Sequence, residues 1–228
     1  HLEHRRQRQM CIRDRLAALW IHHQNATGQV FSYNSMENGQ NIEHRVLMDD
    51  NYYVETQFTE DTQHFIQTVG GFYEKKGGKI FVKLEFNSNY SIDSLKQLEV
   101  MTDNGWKKIS KSTMPLQGKW LMAGRVKDNK EQRRDTNRSR KTMKILKDGF
   151  FQWIAFNTKT FSFHGSGGGR YSAEGGNYTE NIDYFSRDDK KVGISLSFQY
   201  QKKEMDWHHT GFSSKGDPLH EIWSTRTP

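Results

Sequence analysis

Apolar and polar residues alternate in short runs along most of the chain. Examples are GKWLMAGRV, KTMKILKD and VGISLSFQY, which begin at Gly118, Lys141 and Val192. A period of two is typical of strands with one buried face, and the frequent Val, Ile, Thr, Tyr and Phe favour the same structure. Asp148-Gly149 separates two such runs and is a strong hairpin signal. The pattern predicts an all-β protein whose short strands are joined by tight turns.

The chain is similar to itself at an offset of 98 residues. His64–Ser88 aligns with Ser162–Ser186 without a gap, and ten of the 44 pairs that begin at residues 45–88 are identical. A fixed period indicates a repeated unit. We therefore expect two copies, covering residues 16–112 and 116–228 and joined by the short polar segment KISKSTMP.

Two glycine pairs recur at this offset: Gly70-Gly71 with Gly168-Gly169, and Gly77-Gly78 with Gly175-Gly176. A phosphate-binding loop would need a helix after it and commonly a Gly-Lys-Ser/Thr sequence. Here a strand-like alternation follows and no such sequence occurs. We expect the first pair of each copy at a bulge or bend, and the second in a hairpin turn that needs positive φ.

The first fifteen residues have a different character. RRQRQMCIRDR, which starts at Arg5, has no apolar period and resembles translated sequencing-adapter read-through, so we predict that residues 1–15 are non-native or disordered. Five arginines with Glu3 and Asp14 give this segment +3 of the net charge of +7. It also holds the single cysteine, Cys11, so the remaining chain offers no disulfide, thiolate or cysteine-based zinc site.

The second copy resembles a lipocalin-like domain family of unknown function from secreted or envelope proteins of Bacteroidota. The resemblance rests on Gly118-Lys119-Trp120, KTMKILKDGFFQWIAFN, GSGGGRY, YTENIDYFS and the terminal GDPLHEIW. It implies two tandem antiparallel β-barrels of the calycin type, in which Trp120 plugs the closed end and Arg226 packs over it. The first copy departs from the pattern because Ala18 replaces the motif glycine and no GDPLHEIW segment occurs, so it is the divergent or truncated copy.

Differences between the copies suggest a site. At the 98-residue offset Val54 becomes Gln152 and Val82 becomes Glu180, on faces that alternation would direct inward. Because a buried carboxylate needs a partner, Glu180 belongs either to an internal hydrogen-bond network with Tyr or Lys/Arg side chains or to a ligand site. The residues of the second barrel predicted to bind a ligand are Gln152, Glu180, Tyr178, Tyr184, His164 and Arg170. Trp153 is expected to face outward, against the other copy or a partner.

Other constellations are less specific. Asp206-Trp207-His208-His209 contains adjacent histidines that point to opposite strand faces, so no metal site is predicted. The basic run Arg133, Arg134, Arg138, Arg140, Lys141 is mixed with acids and lacks stacking aromatics, which favours a solvated loop and no nucleic-acid partner. No apolar run has the length of a transmembrane segment, and no cofactor is predicted.

The sequence therefore predicts a non-enzymatic, secreted or periplasmic protein, whose signal peptide was lost by truncation, with a small apolar or amphipathic molecule as its partner. Two alternatives stay open. One is an envelope protein–protein interaction module with filled barrels. The other is a hydrolase-type enzyme in which Glu180 is the general acid or base, with His164 or His208 nearby, or with Glu221 as a second carboxylate.

Overall fold

The computed structural model describes residues 29–101, 105–110, 113–213 and 216–226. The predicted non-native segment 1–15, and Ala18 in place of the motif glycine, lie outside these residues. In the described part the protein is nearly all-β, with one α-helical turn, α1 (Tyr90–Asp93), and one 3-10 turn (Asp189–Lys191). No helix there is long and apolar enough to cross a membrane.

The first half is a seven-stranded antiparallel sheet with the order β6-β5-β4-β3-β2-β1-β7. Its strands are β1 (Val30–Glu37), β2 (Gln40–Met48), β3 (Tyr52–Thr59), β4 (Phe65–Lys76), β5 (Lys79–Asn87), β6 (Gln97–Met101) and β7 (Lys107–Lys108). The sheet curls into a half-barrel and does not close among the described residues. Because β7 has only two residues and pairs with β1, this half has no described strand that bridges β1 and β6.

The second half is a closed barrel with one appended strand. Its strands are β8 (Gly118–Lys127), β9 (Lys130–Arg133), β10 (Arg140–Lys147), β11 (Phe150–Asn157), β12 (Phe163–Glu174), β13 (Asn177–Phe185), β14 (Ser195–Lys203), β15 (Asp206–Phe212) and β16 (Pro218–Thr225). From β10 to β16 each strand pairs antiparallel with the next, and β8 closes the circle by pairing with both β16 and β10. The barrel therefore has eight strands in up-and-down order.

The polar segment after β8 is not the long loop that its composition indicated. Residues Lys130–Arg133 form β9, which continues antiparallel from the outer part of β8. The turn uses Asp128 and Asn129, both with positive φ (51° and 57°), and these residue types tolerate that conformation well. An all-polar strand forms here because it is exposed on both faces.

The strand registers of the two halves coincide at the offset of 98 residues. Tyr52 pairs with Phe72 and Phe150 pairs with Arg170. The register shifts also recur, between Gln57/Phe58 and Ala155/Phe156, and at Gly70/Gly71 and Gly168/Gly169. The half-barrel and the matching part of the barrel thus have the same pairing and the same bulges.

The convex face of the half-barrel packs against the outside of the barrel. The shared core combines apolar side chains of both halves: Val30, Leu47, Tyr52, Val54 and Phe86 with Leu121, Met143, Ile145, Phe150, Ile154 and Phe156. Polar contacts cross the same junction, including Arg45 Nη1 to Asp183 Oδ2 (2.5 Å) and Arg226 Nη2 to Glu85 Oε1 (2.6 Å). Strands β10 and β11 are therefore covered on both faces.

Candidate functional site

The barrel lumen contains a cavity of about 390 Å³ that opens at one end. The opposite end is filled by aromatic side chains, where the Trp120 and Trp207 rings meet edge to face at 5.7 Å. Trp120 donates its indole N–H to the carbonyl oxygen of Leu116 (2.8 Å), and Tyr171 Oη donates to Pro115 (3.1 Å). The segment before β8 thus closes the barrel, and Trp120 occupies the position that the resemblance implies for the plug.

The wall of the cavity is mainly apolar and aromatic. Its apolar residues come from five of the eight barrel strands and the loop before β14: Met122, Trp153, Ile182, Phe185, Ile194, Leu196, Phe198, Leu219 and Trp223. Small-molecule sites in proteins generally have a volume in this range and a mainly apolar lining.

A buried ion pair lies on the cavity wall. Lys144 Nζ donates to Glu180 Oε1 (2.6 Å), and Tyr178 Oη donates to the same oxygen (2.9 Å). The ammonium also lies over the Trp223 ring, at 5.0 Å, and over those of Tyr178 and Trp207. Both side chains are nearly inaccessible, with 6% of each exposed. The carboxylate that the sequence left without a partner is therefore satisfied by a lysine and a tyrosine.

His209 also faces this cavity and has no hydrogen bond. Its residue is 2% exposed, and in the described part of the chain neither ring nitrogen has a partner within hydrogen-bonding distance. Nδ1 lies 3.7 Å from Glu221 Oε2. Burial, and then the Lys144 ammonium, hold the pKa of His209 below its ordinary value of 6.5 despite the opposing effect of Glu221. The lowered pKa favours the uncharged imidazole, and neither ring nitrogen has a hydrogen-bond partner in the described structure.

Charged side chains surround the entrance and the neighbouring wall. Glu221 lines the cavity, accepts a hydrogen bond from Trp223 Nε1 (3.2 Å) and lies 3.6 Å from Arg125 Nη2. Burial raises the pKa of Glu221, but His209 and Lys144 outweigh it and hold that pKa below the ordinary value. Arg125, Arg134 and Lys191 also line this end. A ligand would pass a cationic entrance before it met the apolar wall.

The structure brings only two of the six predicted ligand-binding residues into this lumen region, Glu180 and Tyr178. Gln152 lies outside the barrel, in the junction between the halves, where it donates to Thr68 Oγ1 (3.0 Å) and Ser166 Oγ (2.9 Å) and accepts from Thr56 Oγ1 (2.9 Å). Tyr184 lies there too, with its ring 5.0 Å from that of Phe58. The prediction that these two residues face the lumen is wrong.

The reason differs for the two residues. On β11 the side chains of both faces are buried, so the alternation of residues does not show which face lines the barrel lumen. Trp153 faces the cavity, at 5.5 Å from Phe185, and is not on the outer face that the sequence favoured. On β13 the bulge opposite Gly168 and Gly169 inserts Asp183, which reverses the alternation, so that Ile182 faces inward and Tyr184 outward.

The remaining predicted residues lie away from the lumen. His164 and Arg170 are exposed. The guanidinium of Arg226 does not face the plug: it lies 5.3 Å from the Tyr52 ring and pairs with Glu85 in the other half. The cation over Trp120 is instead Lys202, at 6.0 Å from the ring.

The histidine predicted near Glu180 was His164 or His208. His208 Nδ1 instead lies 3.0 Å from Nε2 of His220, on the outer face of β16.

The glycines occupy tight positions. A Cβ at Gly169 would lie 2.0 Å from the carbonyl oxygen of Asn181, and one at Gly168 would lie 2.3 Å from Tyr184 Oη. Gly175 and Gly176 form the β12–β13 turn with φ of 55° and 84°, the left-handed pair of a type I′ hairpin. Gly118, at the start of β8, has φ of 129°.

Two site residues were missed by sequence reasoning, Lys144 and His209. Lys144 gives a signal at the 98-residue offset, since Val46 occupies the corresponding place in the first half. His209 gives no such signal, because the described first half ends before a strand equivalent to β15 is complete. Its position becomes evident only when β14, β15 and β16 are paired.

No protein-family model matches this chain, and no curated protein matches it. One similar solved structure is a lipocalin-like protein from Bacteroides uniformis ATCC 8492, with 17% sequence identity and a TM-score of 0.33. The likeness covers 49% of this chain and 98% of that chain.

The strand order itself defines the class. Eight antiparallel strands in up-and-down order that enclose a cavity are the architecture of lipocalins. The chain is thus an all-β protein with a lipocalin-like barrel and a curled half-barrel sheet.

Proposed function

We propose that the protein binds a small, mostly apolar molecule with one polar group inside the barrel of its second half. The observation that carries the proposal is His209, a buried side chain that lines the cavity and has both ring nitrogens unused. An unpaired buried polar group costs about 1–3 kcal/mol, and a ligand that hydrogen-bonds to the imidazole would offset that cost.

The cavity supports this proposal over the two alternatives. An interaction module with a filled barrel would leave no room, whereas the lumen here contains an open cavity of about 390 Å³. For an enzyme that uses Glu180, the carboxylate would have to exchange protons with a substrate. It already accepts hydrogen bonds from Lys144 and Tyr178. Duplication of one unit, supported by the shared registers, and a location outside the cell or in its envelope stay predictions.

The test measures binding of 1-anilinonaphthalene-8-sulfonate by its fluorescence and by quenching of the protein's tryptophans. Trp153 and Trp223 line the cavity and would report an occupant. Leu196→Trp narrows the lumen, and Leu95→Trp places the same side chain on an exposed site. We expect the lumen variant to weaken binding at least tenfold and the exposed variant to leave it unchanged.

Equal affinity in both variants would place the dye on the surface and contradict the proposal. His209→Phe separates the polar contact from the apolar one, because it keeps an aromatic ring in place. It should weaken binding of decanoic acid or decanol while the dye, if held by apolar contacts, still binds. Native mass spectrometry of the purified protein would identify the class of a molecule that co-purifies.

A further inference from the structure

Three adjacent strands of the half-barrel place a serine, a histidine and a glutamate in one hydrogen-bonded line. Ser35 Oγ on β1 lies 2.8 Å from His44 Nε2 on β2, and His44 Nδ1 lies 2.8 Å from Glu55 Oε1 on β3. The register explains the alignment: Tyr33 lies opposite His44, and Val46 lies opposite Glu55. All three side chains are therefore on the concave face, opposite the face that carries Leu47 and Val54 into the core shared with the barrel.

The surroundings fix the ionisation of Glu55. Its residue is 8% exposed, and it accepts hydrogen bonds from Tyr33 Oη (2.8 Å) and Tyr53 Oη in addition to His44. Burial raises the pKa of Glu55, but the hydrogen bonds from His44, Tyr53 and Tyr33 outweigh burial and hold the pKa below its ordinary value. A carboxylate accepts only, so His44 must donate from Nδ1 and present the lone pair of Nε2 to Ser35.

The histidine ring is held in place by packing. Tyr33 stacks on it with ring centres 4.2 Å apart and an angle of 18°, and Tyr33 stacks in turn on Trp106 at 5.9 Å. The His44 residue is 6% exposed. A nucleophile, a base within hydrogen-bonding reach and a third group that orients the base form the arrangement that activates serine in unrelated folds.

The serine lies at an accessible edge. β1 pairs with β7 only at Phe31 and Ser32, so its outer edge from Asn34 to Glu37 has no partner strand among the described residues. The backbone N–H of Val30 donates to Ser110 Oγ, and its carbonyl accepts from the N–H of Ile109, so both groups point toward the β7 side of β1. By strand alternation the N–H of Asn34 and of Met36 points to that same side. These amides flank Ser35 and can donate to the oxygen of an acyl group.

We propose that Ser35 is a nucleophile that accepts acyl groups from small esters, with His44 as the general base. Ser35 Oγ bonds to the ester carbonyl carbon and its proton passes to His44 Nε2. That proton then goes to the departing alcohol oxygen as the carbon–oxygen bond breaks. Water, deprotonated by Nε2, hydrolyses the acyl-serine, and Oγ regains a proton. Glu55 acts as a positioning residue that holds the tautomer of His44. The site is in the other half from the ligand cavity and is independent of the proposed function.

The competing explanation is that the three residues only stabilise the sheet. Covalent labelling separates the two, because a structural hydrogen bond does not make a serine reactive. Diisopropyl fluorophosphate phosphorylates an activated serine oxygen with loss of fluoride. The full chain is treated with it, and the modified residue is located by peptide mapping with mass spectrometry. We expect one adduct, on Ser35.

Matched variants identify the mechanism. Ser35→Ala should abolish the adduct, whereas Ser32→Ala, on the same strand with its hydroxyl bonded to Glu43 (3.3 Å), should not. His44→Gln should slow labelling by about 100-fold, the usual effect of losing a general base. Near-UV circular dichroism checks that the variants fold. If His44→Gln does not fold, the wild-type adduct decides: an unlabelled Ser35, or a label on Tyr33 or elsewhere, overturns the proposal.

Turnover gives a second measure. The wild type should release p-nitrophenol from p-nitrophenyl acetate with an initial burst equal to the concentration of reactive Ser35. The burst should vanish in Ser35→Ala and persist in Ser32→Ala. A burst that is unchanged in Ser35→Ala would overturn the proposal.

Discussion

The Lys144–Glu180 pair shows how one fold accepts two different interiors at the same place. At the offset of 98 residues its positions hold Val46 and Val82, both nearly inaccessible in the core of the half-barrel. Removing charged groups from water is costly, and a buried pair is stable only while both members are present. Removing one member of the pair should therefore destabilise the protein more than replacing both.

A double-mutant cycle tests this coupling. Lys144→Val or Glu180→Val alone should lower the free energy of unfolding by about 3–5 kcal/mol, because each leaves one buried charge unpaired. The double variant, which has the residues of the other half, should lie within about 2 kcal/mol of the wild type. Urea unfolding measures all four proteins, and additive losses in the double variant would contradict the argument.

A second prediction at the residue scale concerns acid. Since the pKa of His209 is lowered by burial in the folded state, the unfolded chain binds a proton below about pH 6.5 that the native state does not. Stability should be complete above that pH and fall as the pH decreases toward the lowered pKa. His209→Phe should reduce the slope of the unfolding free energy against pH between pH 6.5 and 5.5. The reduction is at most that of one proton taken up on unfolding, about 1.4 kcal/mol per pH unit.

The matched control for this measurement is His164→Phe, at an exposed site. Partial burial and the nearby Arg140 and Arg187 also lower the pKa of His164, but solvent screens this exposed site, so the variant should change the slope less than His209→Phe does. Urea unfolding at half-unit pH steps gives the slope. An unchanged slope in His209→Phe would mean that the imidazole is protonated in the native state.

At the scale of elements, the bulges and hairpins decide where the side chains point. The bulge at Gly168-Gly169 adds Asp183 to β13 and places it against Arg45 of the other half. The turn at Gly175-Gly176 needs positive φ but has open space around the first glycine. The two pairs are therefore conserved between the halves for different reasons, close backbone approach at the first and backbone conformation at the second.

These reasons predict different tolerances. Gly169→Ala puts a Cβ 2.0 Å from a backbone carbonyl oxygen, so the strands must separate and the free energy of unfolding should fall by about 3 kcal/mol. Gly175→Asn keeps a residue type suited to φ of 55° and should cost less than about 1 kcal/mol. Thermal and urea unfolding of the two variants would show the difference, and equal losses would refute it.

At the scale of the whole molecule, the halves share one core and a set of buried polar contacts. The Arg45 residue is 5% exposed and its guanidinium lies 4.9 Å from the Phe58 ring and 5.3 Å from that of Phe150, so it contacts aromatic rings of both halves. It pairs with Glu43 in its own half and with Asp183 in the barrel. Among the described residues the half-barrel sheet stays open, and the barrel covers its convex face.

The two halves should therefore unfold together. Hydrogen exchange in peptides from β3 and β11 should give the same opening free energy. Arg45→Ala should lower both by about 3 kcal/mol, because it leaves a carboxylate in the junction without its partner. Arg133→Ala, which removes exposed ion pairs within the barrel, is the control and should cost less than about 1 kcal/mol. Loss of protection in one half alone would show that the halves are independent.

Much of the fold follows from local rules that the sequence displays. Alternation marked the strands, and Asp148-Gly149 and the paired glycines marked tight turns, because these conformations depend on a few neighbouring residues. The comparison of copies pointed to Glu180, since a valine that becomes a carboxylate on a buried face must acquire a partner. It did not identify Lys144 as that partner, because β10 and β13 are not neighbours in the sheet and their side chains meet only inside the closed barrel.

The sequence by itself determined that the chain is all-β and where many of its strands turn, whereas closure of the second half depends on the pairing of β8 with both β10 and β16. Tertiary structure decided which face of each strand is the inner one. On β11 both faces are buried, so a period of two could not distinguish the face that lines the lumen from the face in the junction. Trp153 therefore lies in the lumen and Gln152 in the junction, the reverse of the prediction. It also decided that His209 reaches the cavity without a partner and that Ser35, His44 and Glu55 meet, because strand pairing brings together residues that are far apart along the chain.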